Sequence, residues 1–238
     1  MNEPEALGGK VAIVTGASSG IGEATARRLR SLGMNVVMFA RRAERLNALQ
    51  ADLGDGCYPV IGDVNDEAAV SSLIPKALEV FGACDVVINN AGAFAAGPTE
   101  KLNAGEVRRL ARTNVESAYH VAFEAISHFK AQSHGDLINV SSISGTKVAR
   151  AGIGWYAGTK HALEALTESL RMEVGGTDVR VNCIEPGMTQ TEIFGEPITS
   201  IENPLQPEDI AAVIESVLRQ PRHVTIPRLM ILPSSQSI

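Results

Sequence analysis

Seven short apolar runs, several of them unbroken rather than alternating, constrain this chain more than any other feature. They occupy residues 11–15, 35–39, 57–61, 85–89, 136–140, 179–184 and 229–232. A strand that is apolar on consecutive residues has both faces covered, the condition of a parallel sheet buried between helices. Helical patterns fill the intervals at 21–32, 43–52, 67–81, 103–130, 156–174 and 207–219. The last of these opens Pro207-Glu208-Asp209, a proline and two acids where a helix N-terminus favours them. Strands alternating with helices imply right-handed crossovers, so the expected class is α/β with a doubly wound, parallel, seven-stranded sheet. No linker, repeat or low-complexity tract divides the chain, and residues 1–238 are expected to form one domain.

The chain has 238 residues, 45% of them hydrophobic and 20% charged. That is enough apolar mass for a substantial core. A net charge of −6 argues against nucleic acid as a general partner. No apolar run approaches the about 20 residues that cross a bilayer, so no membrane partner is expected. The opening Met1-Asn2-Glu3-Pro4-Glu5 lacks the basic and apolar regions of a secretory leader. Cys57, Cys84 and Cys183 are odd in number and far apart, which fits buried thiols in a reducing compartment. The expected location is therefore the cytoplasm. The five histidines place no third ligand beside any pair, and no metal is expected.

Chemistry-bearing residues fall at the strand ends. Thr15-Gly16-Ala17-Ser18-Ser19-Gly20-Ile21-Gly22 leaves the first strand and opens the first helix. Glycines there let the backbone approach a pyrophosphate, and the helix N-terminus offers free N–H groups and a positive dipole end. The spacing is TGxxxGxG, so the GxGxxG fingerprint taken literally fails. Further along, Tyr156-Ala157-Gly158-Thr159-Lys160 sets a phenol and an ammonium at i and i+4, on one helix face. A free tyrosine titrates near pH 10, and an adjacent cation is expected to lower that value towards a useful acid–base range.

Taken in order, these motifs give the chain a resemblance to the short-chain dehydrogenase/reductase family in its single-domain, Rossmann-type form. The match runs from Lys10 to about Pro233 and includes Asp63 after the third strand and Asn89-Asn90-Ala91-Gly92 after the fourth. It continues through Asn114, Ser142, Tyr156 with Lys160, and Pro186-Gly187 followed by Thr191. The resemblance implies an oxidoreductase that moves a hydride between a nicotinamide cofactor and a small carbonyl or secondary alcohol. It implies Tyr156 as the general acid/base and Ser142 as the residue that steadies the substrate oxygen. Lys160 would hold the nicotinamide ribose, and Asn114 would hold a water in a proton relay to Lys160. Ser141, Ser142 and Ser144 all follow the fifth strand, and matching Val140-Ser141-Ser142 to the family's strand-end motif selects Ser142.

For cofactor binding the resemblance implies Gly16, Ser18, Ser19, Gly20, Ile21 and Gly22 around the pyrophosphate, with Asp63 on the adenine. Asn90 would tie strand ends together, and Pro186, Gly187 and Thr191 would flank the nicotinamide amide. NAD-selective relatives carry an acid at the end of the second strand, where this chain has Ala40 followed by Arg41 and Arg42. That substitution points to NADP(H). Residues 190–206 are expected to cover the active site as a lid, and the stretch 207–233 is similar to a subgroup that oxidises serine and 3-hydroxy acids. Family habit and the small and apolar residues of 156–174 lead to an expected homo-tetramer. A dinucleotide-sensing protein without turnover is the alternative on the same fold. The short region after Pro186 leaves little room for the larger lobe of relatives that act as dehydratases or epimerases.

Overall fold

The computed structural model describes residues 5–195 and 197–237. The expected domain and lid also include positions 1–4, 196 and 238, which lie outside the described residues. Seven strands form one parallel sheet in the order β3-β2-β1-β4-β5-β6-β7. They are β1 (Val11–Thr15), β2 (Asn35–Ala40), β3 (Cys57–Ile61), β4 (Val86–Asn89), β5 (His134–Val140), β6 (Asp178–Pro186) and β7 (Arg228–Ile231). The helices are α1 (Gly20–Ser31), α2 (Ala43–Leu53), α3 (Glu67–Ser71), α4 (Leu73–Phe81), α5 (Ala104–Ala111), α6 (Ala118–Gln132), α7 (Gly154–Glu173) and α8 (Pro207–Leu218). Strand order reverses between β1 and β4, and the crevice at the carboxyl ends beside such a switch point is where sheets of this kind bind ligands.

The unbroken apolar runs follow from two cores. On one face Ala12, Val14, Val36, Met38 and Ile138 pack with Leu29 of α1, Leu46 of α2 and Ile210 and Ile214 of α8. On the other Val11, Ile13, Val37, Phe39 and Leu137 pack with Leu73 of α4 and with Val121, Ala125 and Phe129 of α6. Neighbouring residues of β1 thus feed opposite cores, and all five are buried.

Two expected helices are interrupted. The segment expected over 67–81 breaks at Ser72 into α3 and α4. Pro75 has no N–H to continue the ladder, so the break lies one turn upstream of it. Asp66 starts α3 by accepting from the N–H groups of Ala68 and Ala69, the ordinary work of an N-cap carboxylate. The helix expected over 103–130 opens into a π-helical turn, Arg112–Ser117, between α5 and α6. There the Ser117 hydroxyl donates to the Arg112 carbonyl at 2.9 Å, five residues back. Such turns concentrate at functional sites, and this one carries Asn114.

Candidate active site

The first element of the site is the turn after β1. Gly16 and Gly20 hold φ values of +71° and +54°, in the region that favours glycine. A Cβ at Gly22 would lie 2.3 Å from the Gly16 carbonyl oxygen, so only glycine lets the turn close on itself. Ser19 sits at the N-cap of α1 without a side-chain capping bond, which leaves the first-turn N–H groups to an external acceptor. Thr15 braces the turn from below: its Oγ1 accepts the N–H groups of Asn90 and Ala91, both at 2.9 Å, and the Asn90 amide donates to the Thr15 carbonyl. Asn90 therefore locks the end of β4 to the end of β1.

At the end of β2 the two arginines part company. Arg41 is exposed and stands 3.7 Å from Asp63, whose other oxygen accepts from Asn65. Arg42 turns onto the glycine loop, with Nε donating to Ser18 Oγ at 3.1 Å and Nη2 to Ser19 Oγ at 2.5 Å. Its Nη1 donates to Glu192 at 2.7 Å, and Arg45, one turn further along α2, donates to the same carboxylate at 2.6 Å. Thr191, beside Glu192, packs its methyl group 3.1 Å from where a Gly20 Cβ would stand. Free N–H groups, glycines at the close approaches and a triad of guanidiniums make a cradle with the shape and charge for a dinucleotide phosphate.

The carboxyl ends of β4, β5 and β6 and the start of α7 build the second element. Tyr156 is half-buried and Lys160 is buried on the same face of α7. The Lys160 ammonium lies 5.9 Å from the Tyr156 ring centroid and donates to the Val140 carbonyl at 3.0 Å. Ser142 adjoins the phenol. Its Oγ accepts the Ser144 N–H at 3.1 Å, which leaves its own proton free to donate. Ser141 and Ser144 are buried, so Ser142 alone of the three is partly accessible beside Tyr156.

The sequence alone led us to expect that Lys160 lowers the Tyr156 pKa, and the surroundings act otherwise. Burial pushes the phenol up to about 12, opposed by hydrogen bonding with Ser142, because a low-dielectric site disfavours the phenolate. Burial also pulls the Lys160 ammonium down to about 8, opposed by the negative charge of Glu164. The lysine is itself desolvated and already serves a carbonyl, so it does not dominate the phenol at this distance.

Asn114 is buried and fully engaged: its Oδ1 accepts the Ala93 N–H at 2.7 Å and its Nδ2 donates to Ala93 O and Thr159 Oγ1. It thus pins the π-helical turn to the loop after β4. A Cβ on Gly92 would stand 3.5 Å from Asn114 Oδ1 and 3.9 Å from Lys160 Nζ, so the space beside Gly92 opens onto both. At the end of β6, Gly187 donates to Ile231 and Met188 to Gln236, which fixes the Pro186-Gly187 turn against the C-terminal residues.

Several residues of the site were not singled out from sequence. Phe94 follows the loop of Ala91 and Gly92, and its ring meets Tyr156 on one side and Phe194 on the other. Arg45 has the i+3 spacing from Arg42 that places it on one face, a signal the sequence did hold. Glu164 and Glu185, buried beneath the site, had none. Among the described residues no cluster of His, Cys, Asp and Glu fits a metal ion, and no helix is long and apolar enough to cross a membrane.

The model of the short chain dehydrogenase family matches residues 10–200. An uncharacterised oxidoreductase of Staphylococcus aureus (strain USA300) is 35% identical over 225 residues, covering 94% of this chain and 97% of that one. Among solved structures, the closed form of serine dehydrogenase complexed with NADP+ superposes with a TM-score of 0.89 at 30% identity, covering 96% of each chain. The 3-ketoacyl-(acyl-carrier-protein) reductase from Brucella melitensis, complexed with NADH, gives 0.87 at 30% identity, covering 94% of this chain and 97% of that one. The fold and the strand-end residues define a nicotinamide-type oxidoreductase scaffold. The chain belongs to the short chain dehydrogenase family and is an oxidoreductase of that family.

Proposed function

We propose that this chain is an NADP(H)-dependent oxidoreductase acting on a small carbonyl or secondary alcohol, with Tyr156 as the proton-transferring residue. The observation that carries the reading is the convergence of Tyr156, Ser142 and Lys160 at the carboxyl end of the sheet, beside the cradle of α1. The bound nicotinamide would supply or take up the hydride. In the reductive direction Tyr156 gives its phenolic proton to the carbonyl oxygen, and the Ser142 hydroxyl donates a hydrogen bond to that same oxygen. Lys160 would hold the nicotinamide ribose and, through a water beside Asn114, would return a proton to the phenolate. A proton-transferring residue works best with a pKa near the operating pH. Tyr156 starts high with the Lys160 ammonium 5.9 Å from its ring centroid. The positive charge must therefore act more strongly on the phenol in the complex than it does at that distance.

The cofactor choice rests on Arg42 against the glycine turn, on Arg41 near Asp63, and on Ala40 where an acid would repel a 2′-phosphate. Asp63 would accept from the adenine, and Pro186, Gly187 and Thr191 would flank the nicotinamide amide. Residues 190–206, apart from position 196 outside the described residues, form the lid. With Phe94 they present aromatic rings to the substrate. Those rings favour an apolar substituent on the carbonyl carbon. The assembly is a cytoplasmic homo-tetramer. Supporting it, α7 exposes Trp155, Gly158, Ala165 and Met172 in one stripe, and the Phe123 ring of α6 is also exposed. Apolar surface of this kind on neighbouring helices is what an association face supplies.

Tyr156→Phe keeps the ring and removes the proton. The expected result is unchanged NADPH affinity with turnover lower by about 10²–10⁴-fold on a panel of carbonyl compounds. Near-full activity in that variant overturns the mechanism. Failure of the unmutated chain to oxidise NADPH with any carbonyl favours the dinucleotide-sensing alternative.

A further inference from the structure

We infer that Glu192 is a specificity-determining residue that competes with the cofactor's adenosine 2′-phosphate for the guanidiniums of Arg42 and Arg45. The inference rests on the NADP(H) reading above. The two oxygens of this carboxylate are divided between two arginines of another part of the chain: Arg42 Nη1 donates to Oε2 at 2.7 Å and Arg45 Nη1 to Oε1 at 2.6 Å. Arg42 keeps its remaining donors on Ser18 and Ser19, so its guanidinium is oriented by the glycine turn whatever anion sits on Nη1. An anion seat aimed along the phosphate-binding turn is thus already filled, by a residue 150 positions away in sequence.

The contact is built to be displaced. The Arg42, Arg45 and Glu192 side chains are 41%, 48% and 55% exposed. Ion pairs in such surroundings are weak. A phosphate monoester carries roughly two charges and three acceptor oxygens where the carboxylate carries one charge and two oxygens. It therefore wins both arginines, but against a resident competitor. A cofactor without the phosphate leaves Glu192 in place, so the residue reduces discrimination between NADP(H) and NAD(H).

The same carboxylate starts the 3₁₀ turn Glu192–Phe194. Thr191 holds one side of that turn against Gly20, and Phe194 meets Phe94 edge-on, as Phe94 meets Tyr156. Release of Glu192 removes the ionic anchor of the turn while Thr191 and the aromatic contact remain. Occupation of the 2′-phosphate seat is thereby felt at the segment over the substrate.

The test uses the full chain, adenosine 2′,5′-bisphosphate and adenosine 5′-monophosphate, with affinities measured by titration calorimetry. Glu192→Gln removes the charge and keeps the side-chain length. It is expected to strengthen binding of the bisphosphate by about five- to tenfold and to leave the monophosphate within about twofold. In the unmutated chain the bisphosphate, and not the monophosphate, is expected to speed amide hydrogen exchange in Glu192–Phe194. No change for the bisphosphate, weaker binding, an equal gain for both ligands, or exchange that does not depend on the phosphate overturns the inference. Two further arms separate it from the reading beneath it. If the unmutated chain binds both ligands equally, or Arg42→Ala leaves the difference between them intact, the assignment of the 2′-phosphate seat is itself overturned and this inference with it. If the discrimination is present and depends on Arg42 while Glu192→Gln changes nothing, only the role of Glu192 falls.

Discussion

The Phe94 ring meets the Tyr156 ring edge-on, with centroids 5.0 Å apart and planes at 73°. This geometry suits two aromatic quadrupoles, and it also takes water away from one side of the phenol. Phe194 completes the wall from the other side of Phe94 at 4.9 Å. Desolvation, the main cause of the high phenol pKa, therefore has an identifiable source.

Phe94→Ala is expected to let water reach the phenol and bring its pKa down from about 12 towards the ordinary value of about 10. Alcohol oxidation needs the phenolate, so the rise of kcat/KM with pH is expected to move to lower pH in the variant. The measurement is the pH profile of both proteins on one alcohol. A coincident rise would show that the ring does not set the phenol's environment.

Glu185 is fully buried on β6, with Arg228 Nε at 2.7 Å, the Thr146 hydroxyl at 3.4 Å and Glu164 close by. Burial, joined by repulsion from Glu164, pushes its carboxyl up to about 7, against the attraction of Arg228. A carboxyl with a raised folded pKa favours the native state while it is protonated. Its contribution is full below the unfolded value near 4.5 and is lost as pH rises through about 7, since the native state then gives up a proton it binds more tightly than the unfolded chain does. Glu185→Gln is therefore expected to match the unmutated protein in Tm near pH 5 and to exceed it at pH 8. Thermal melts at the two pH values check this; a lower Tm for the variant at pH 8 would reveal that the Arg228 pair outweighs burial.

Asp136 at the start of β5 joins two arginines. Arg180 Nε donates at 2.5 Å with both side chains almost wholly buried, and Arg222 Nη1 donates at 2.6 Å from a partly exposed position. Arg180 also donates to the carbonyls of Leu218 and Gln220, which caps the end of α8. Asp136→Ala leaves the Arg180 charge buried without its anion, and a loss of about 3–5 kcal/mol in urea unfolding is expected. Arg222→Ala leaves the Asp136–Arg180 pair intact and is expected to lose only about 1–2 kcal/mol. Equal losses would mean that the three side chains act as one unit.

The strands were legible because their signal is local: consecutive apolar residues read the same wherever the neighbours lie. What β6 does beyond Ile184 was not legible, since Glu185 and Pro186 look like the end of a strand. The chain continues there because β7 pairs with it and Arg228 meets the buried carboxylate. The π-helical turn was hidden for a similar reason. Its cause is the reach of Asn114 to Ala93 and Thr159 and of Ser117 to its own backbone, none of it visible as periodicity. Order and spacing brought Tyr156, Lys160, Ser142 and Asn114 to notice. They gave the wrong sign for the phenol's pKa in these surroundings, because a spacing of four conveys a shared face and nothing about desolvation. The Arg42–Glu192 contact spans most of the chain, and no local pattern encodes it.

Cofactor choice offers the sharpest change of function from few substitutions. Ala40 ends β2 in a buried position, and Arg41 beside it is exposed near Asp63. On the NADP(H) reading, Ala40→Asp would place a carboxylate to accept a hydrogen bond from the ribose 2′-hydroxyl of NADH and to repel a 2′-phosphate. Arg41→Leu removes one of the guanidiniums available to that phosphate. A charge-assisted hydrogen bond contributes about 1.5–3 kcal/mol, or roughly 10–100-fold, before repulsion is added. The pair of changes is therefore expected to invert a preference for NADPH, even though Arg42 and Arg45 remain. Ala40→Asp introduces an acid at the edge of the core, so thermal stability is to be measured alongside kcat/KM for both cofactors on one carbonyl substrate. Adding Arg42→Ala is expected to weaken NADPH further, since Arg42 alone of the three contacts the glycine turn. A stable double variant that still prefers NADPH would place the phosphate recognition on Arg42 and Arg45 rather than at the end of β2. An NADH preference in the unmutated chain would remove the basis for the NADP(H) reading.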